Sequence, residues 1–351
     1  MTRPLRQLAR ESLVVASALC LSATGLAAQD VHVAPTLGTH IGGFMDVFYR
    51  DATGPNAKSG FGLGQFDTYI SSRISDKVFF LSEVVFEYGA DWGVDVERVV
   101  LTYAAKSYFQ IAAGKHHTPF GYWNNAYHHG TVLQPTVDRP DLLRFEDDGG
   151  PLAIHTTGLL VTGRDFSAWH LGYDVLLGNG IGSTPKEDND PSKSLTVAVH
   201  AQATSDLRIG ASLYLDHVSM GTPTLAGTKL GGSMAQQMFG GFVAYTGSDV
   251  EVLTEFQHIV NRVGTAASHG TDGGYFYIGR RIGDLVPYAR YDAVSYGTGD
   301  PYFSGDNVQT ALVGARYDLA PAATLKLELR RRRTDSGGTV SQFAAHFAIG
   351  F

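Results

Sequence analysis

The chain has 351 residues, with 27 basic against 34 acidic side chains, a net charge of −7 and one cysteine. A mildly acidic balance argues against nucleic acid as a partner. One cysteine supports neither a disulfide framework nor a thiolate metal site.

The first 28 residues place Arg3, Arg6 and Arg10 ahead of an apolar run over 13–21 and a small-residue exit over 25–27. That order predicts a secretory signal peptide spanning 1–28. Cys20 follows Leu19, where a lipoprotein signal would want a small residue, so lipidation is not expected. Removing 1–28 leaves 24 basic and 33 acidic residues, a net charge near −9. Beyond it no stretch reaches the roughly 18 uninterrupted apolar residues of a membrane helix. A helical membrane protein is excluded and a barrel is not.

From Thr36 onward the chain repeats alternating segments of about ten residues, the length of a membrane-crossing strand. Short turns are expected at 75–77, 105–107, 163–165, 204–206, 246–249, 282–285 and 318–322. Longer connections are expected at 51–63, 89–93, 118–151, 180–193, 219–233, 263–273, 297–307 and 335–339. Seven turns interleaved with eight loops predict an all-β fold, a transmembrane antiparallel up-and-down barrel of about 16 strands over 29–351. Fourteen or eighteen strands lie within one hairpin of this count. An exported β-sandwich shares the alternation, but here one face is apolar and the other charged in nearly every strand. About eight residues before Thr36 leave no room for a plug, which argues against FadL-like carriers and TonB-dependent receptors.

In a barrel, a charge facing lipid near the midplane costs about 2–4 kcal/mol, so charged positions fix the register. Arg73, and then Glu83 and Glu87 in KVFFLSEVVFEY, are expected to face the lumen. The next strand is irregular, because Asp95, Glu97 and Arg98 break the period; Arg98 is taken as inward. Aromatics such as Tyr49, Tyr88, Tyr103, Tyr173, Tyr245 and Tyr317 fit interfacial girdles.

The stretch GKHHTPFGYWNNAYHHG, residues 114–130, opens the longest connection, 118–151. A loop of that length in a compact barrel is commonly functional. His116 and His117 are strand neighbours that point in opposite directions, so at most one of each histidine pair can serve a given site. His116 and Arg139 are counted as pore-lining candidates, and neither a metal site nor a cofactor is expected. Asp147 and Asp148 are noted only as hard oxygen ligands of the calcium-binding type. No Ser/His or Asp/His constellation stands out locally, so an enzymatic role is not expected either. The segment GKHHTPFG, followed by VDRP, FEDDGG and a returning TTGLLVTG strand, resembles the phosphate-selective porin O/P-like group. The resemblance implies a porin whose third outer loop narrows the pore. Phosphate selectivity is not carried over, because the loop adds Asp138, Asp141, Glu146, Asp147 and Asp148 to Arg139 and Arg144.

Later strands continue the pattern. Arg208 in LRIGASLYLDH and Glu251 with Glu255 in DVEVLTEFQ point inward. So do Arg281, Arg290, Arg316, and Lys326 with Arg330 in ATLKLELRRRR, where Leu325, Leu327 and Leu329 take the lipid face. The chain closes on TVSQFAAHFAIGF, with Phe343, Ala345, Phe347, Ile349 and Phe351 on one side. This ending resembles the C-terminal signal that the outer-membrane barrel-insertion machinery reads. The functional expectation is a porin-type channel for small hydrophilic solutes or ions in the bacterial outer membrane, contacting its lipid. The alternative is a non-conducting structural or adhesive barrel. Small residues in TLGTHIGGF and VSQFAAHFAIG suit a wall buried in a homotrimer.

Overall fold

The computed structural model describes residues 38–351 apart from 55, 56, 89–91, 129, 146–149, 152, 153, 185 and 304, and leaves out the side chains of 87, 88 and 92. The expected signal peptide, His129, Glu146, Asp147 and Asp148 lie outside the described residues, as does the side chain of Tyr88.

Sixteen strands form one closed antiparallel barrel, each bonded to its sequence neighbours and the first to the last. They are β1 (Gly38–Ala52), β2 (Gly60–Arg73), β3 (Val78–Tyr88), β4 (Trp92–Lys106), β5 (Phe109–His117), β6 (His155–Phe166), β7 (Leu171–Gly178) and β8 (Ser194–Gln202). There follow β9 (Leu207–Val218), β10 (Met234–Thr246), β11 (Val250–Val263), β12 (His269–Arg280), β13 (Leu285–Ser295), β14 (Val308–Ala320), β15 (Ala323–Thr334) and β16 (Gly338–Gly350). Closure leaves no unpaired edge, so backbone N–H and C=O groups of the wall are satisfied between strands.

Alternation decides what each face shows. On β15, Leu325, Leu327 and Leu329 are 36%, 46% and 59% exposed on the outer wall, while Lys326 and Glu328 between them are buried inside. The seam is tied twice at its end, where Gly43 N–H donates to the Phe351 carbonyl at 2.9 Å and Phe351 N–H returns to Gly43 at 2.9 Å. The Phe351 ring stacks on Phe66 with centroids 6.1 Å apart.

One local expectation holds and gains a cause, and another needs correction. The irregular strand at 92–106 is real, and its broken period is a β-bulge: Glu83 pairs with Arg98 while its neighbour Val84 pairs with Val96. Glu97 is the extra residue, so it and Arg98 are withdrawn from the surface while Val96 and Val99 on either side are exposed. The turn expected at 163–165 instead falls at 167–170, because β6 continues through a second irregularity to Phe166. Arg164 therefore belongs to a strand.

Candidate functional site

The connection from β5 to β6, residues 118–154, folds into the barrel. Its first part holds α1 (Trp123–Ala126), a single helical turn, and its second a 3-10 turn, Asp141–Leu143. Phe120, Trp123, Leu142 and Leu143 are fully buried, against wall residues that would otherwise meet water. Trp123 meets Tyr275 of β12 edge to face, with centroids 5.6 Å apart.

The loop is held mainly by charged wall side chains acting on its backbone. Glu255 on β11 accepts the N–H groups of Tyr122 at 2.9 Å and Trp123 at 2.7 Å, and the Tyr275 hydroxyl at 2.7 Å. This approach requires Gly121: its φ is +73°, and a Cβ there would stand 2.2 Å from the Glu255 carboxylate. Glu328 accepts Val137 N–H at 3.2 Å. Lys326 donates to the carbonyl of Thr131 and, at 3.3 Å, to that of Thr136. Arg290 forks onto Asp292 at 2.8 and 2.9 Å and donates to the carbonyls of Asp138 at 2.7 Å and Arg139 at 3.2 Å.

Two loop carboxylates complete the dock. Asp138 is paired with Arg50 and Arg330, each at 2.6 Å. Burial alone would raise its pKa, but the guanidiniums of Arg330, Arg50 and Arg290 outweigh it and hold the carboxyl well below the usual range. Asp141 accepts Arg332 at 3.1 Å and the Thr310 hydroxyl.

The other side of the lumen stays open as a cavity of about 450 Å³, bounded by β3 to β10 and the start of the loop. Its charged lining is Arg98, Arg164, Arg208 and Asp174, with His116, His117 and His200. Arg98 pairs with buried Glu83 at 2.5 Å and Arg164 with Asp174 at 2.8 Å. Arg208 has no carboxylate at ion-pair distance among the described residues. The local balance is cationic although the chain is acidic.

The fourteen candidate residues thus divide by place. His116, Arg98 and Arg208 line the cavity, with Glu83 behind Arg98. Glu255, Arg290, Lys326 and Arg330 grip the loop, while Arg139 folds the loop on itself, bonding the carbonyls of Leu143 at 2.6 Å and His128 at 3.0 Å. Glu251, Arg281 and Arg316 gather with Asp318 at the short-turn rim, Arg316 to Glu251 at 2.8 Å and Arg281 to Asp318 at 2.9 Å. Arg73 bonds Asp76 at the same rim at 2.9 Å, and Glu87 lies in β3 with its side chain outside the description. Sequence reading missed Arg164, Asp174 and His200 in the cavity, and Arg50 as a partner of the loop. Arg164 was within reach, since it follows Leu160 and Thr162 in the inward phase of β6.

No family model and no curated protein matches the chain. Solved structures do. An anion-selective porin from Comamonas acidovorans superposes with a TM-score of 0.65 at 10% identity, over 90% of this chain and 100% of that one. OmpT of Vibrio cholerae, an outer membrane protein in its trimer form, gives 0.64 at 14% identity over 90% and 99%. OmpF of Salmonella typhi in complex with daunomycin gives 0.63 at 12% over 90% and 98%. These neighbours are outer-membrane proteins, porins among them, and at such identities the likeness reaches the fold alone. It does not single out the phosphate-selective O/P-like group. The expectation of no enzymatic role is corrected at this point: the OmpT chains stand beside the porins at 14–15% identity. A fold shared that widely does not exclude catalysis, and the chain's own barrel holds carboxylate–histidine contacts such as Glu97 to His155 at 2.5 Å.

Proposed function

We propose that the protein is a porin-type channel of the bacterial outer membrane, exported by the signal peptide 1–28, with 29–351 forming the barrel and the loop as its constriction. The observation that carries this reading is the loop held inside the barrel by Glu255, Arg290, Lys326 and Arg330, beside a cavity of about 450 Å³ that carries three arginines. Such a lining replaces part of the hydration of a small solute or ion at a narrow point. Three arginines at the cavity, against Asp174 and the paired Glu83, favour anions there. Arginine also binds oxyanions in a forked manner, which suits small oxyanionic solutes.

The exposed apolar belt, with Leu327, Phe343 and Phe347 among its members, would face lipid. A homotrimer would bury the wall around the β1–β16 seam, and Phe351 would present the strand read during insertion. Crosslinking that yields monomer at every concentration would sink the trimer. The channel itself is tested by single-channel recording of refolded protein in a planar bilayer under a salt gradient. Discrete steps with an anion-favouring reversal potential support the reading. A folded, heat-modifiable barrel without steps would instead be a closed structural or adhesive protein.

A further inference from the structure

We propose that His117, His128 and His155 form a binding site for a divalent transition-metal ion of the imidazole-preferring class, with zinc as its representative, at the base of the folded-in loop. Sequence reading set a metal aside because at most one histidine of each adjacent pair could converge on a point. The fold takes one from each pair and adds a third. His117 ends β5 and His155 begins β6, and the two are register partners on the same face of the ladder. His128, just beyond α1, lays its ring on His117 with centroids 3.5 Å apart and meets His155 edge to face at 4.7 Å.

One ring nitrogen from each histidine lies within 4.8 Å of the others. Tetrahedral zinc, with Zn–N bonds of about 2.0–2.1 Å, needs those nitrogens roughly 3.4 Å apart with each lone pair aimed at the ion, so binding would splay the stacked His117 and His128 rings apart. The surroundings set the tautomers. Asn124 spends its amide donor on the Thr118 carbonyl at 2.9 Å, so its oxygen accepts from His128 Nδ1 at 2.9 Å. Nε2 is then the unprotonated nitrogen of His128, the form in which imidazole ligates a metal. The Glu97 carboxylate lies 2.5 Å from His155 Nε2, which sets a negative charge beside this ring, as carboxylates stand beside many ligating histidines.

Glu97 supplies negative charge beside a buried dication, while Glu83, 3.7 Å from His117 Nε2, is already paired with Arg98. Because His117 also lines the cavity, the fourth coordination position would open on the lumen, as it does in sites that keep an exchangeable ligand. The site would also clip both ends of the loop to a residue inside it.

The test is calorimetric titration of the refolded full barrel with zinc chloride in chelator-free detergent, repeated with cobalt to read its visible ligand-field bands. The expected result is one ion per chain and a cobalt spectrum of nitrogen-rich tetrahedral type. His128→Ala, a loop change outside the strand ladder, should weaken binding at least about tenfold, as should Glu97→Gln, the usual size for an orienting partner. His200→Ala, in the same cavity, should leave it unchanged. Absence of saturable uptake in the micromolar range would overturn the proposal. So would unaltered affinity in both His128→Ala and His155→Ala, with heat-modifiability confirming that each variant has folded. Binding is read in detergent without any conductance, so this result and that of the channel recording fail independently.

Discussion

The wall from β11 to β15 and the wall from β4 to β9 carry the same kind of inward charge, yet those charges meet different fates. On the first, the loop covers them: Glu255, Arg290 and Lys326 are buried, and their hydrogen bonds go mainly to loop backbone or to a neighbouring charge. On the second, Arg98, Arg164 and Arg208 border open space. A charge against the loop has exchanged water for fixed partners and becomes costly to disturb, whereas one facing the cavity keeps its field available to a passing ion. Position along the strands does not distinguish the two sets. The loop does.

That contrast can be broken most severely at Arg290. Arg290→Ala leaves Asp292 buried without its cation, which should cost about 3–5 kcal/mol. It should also free the Asp138 and Arg139 carbonyls, read as a lower unfolding midpoint in denaturant and a larger single-channel conductance. An unchanged conductance would mean that the loop does not set the constriction. Glu255→Gln is smaller: it weakens charge-assisted bonds to Tyr122, Trp123 and Tyr275, for about 1.5–3 kcal/mol. Its check is faster proteolysis of the loop in the folded barrel.

Asp138 sharpens the comparison through pH. Its folded pKa is depressed, so its stabilising effect is fully present above the ordinary value of 3.8 and is lost as pH falls toward the folded value. The stability difference between the native chain and Asp138→Asn should be level from neutral pH down to about 4 and shrink only below that. A difference already shrinking near neutral pH would contradict the Arg330 and Arg50 pairing. The least effect on stability belongs to the cavity side, where Arg208→Glu should stay within about 0.5 kcal/mol. Its reversal potential should nevertheless move toward cations. A stability loss there comparable to that of Arg290→Ala would erase the distinction between the two walls.

Much of this architecture was legible as a period of two. Leu325, Leu327 and Leu329 against Lys326 and Glu328 define an inner and an outer face without any knowledge of neighbours, because a strand's side chains alternate whatever lies beside it. The disturbed stretch 95–98 was visible as an anomaly, but its meaning lay in the partner strand: only the pairing of Glu83 and Val84 shows which residue is extra. The site was legible by halves. Wall charges announce themselves by phase, while their loop partners do not, since Val137 meets Glu328 across 191 positions and no local pattern encodes that contact. The returning strand was likewise readable from Thr156, but not His155 before it as the residue opposite His117, which depends on where β6 begins.

The anchors of the loop also impose an order on assembly. Besides Arg50 and nearby contacts with the ends of β5 and β6, its wall anchors at Ser212, Glu255, Asp292, Thr310, Lys326 and Glu328 come later in the chain, at separations of 91 to 195 residues. Contacts so distant in sequence form only after the intervening chain has found its place. The loop therefore lacks its distant anchors until β9 to β15 stand in the sheet, and full corking follows them. During refolding, its protection from protease should rise after heat-modifiability appears, and protection arriving first would contradict this sequence of events. An incompletely closed barrel is then marked by a long tethered segment outside it, and the late arrival of the loop serves as an internal clock for completion of the wall.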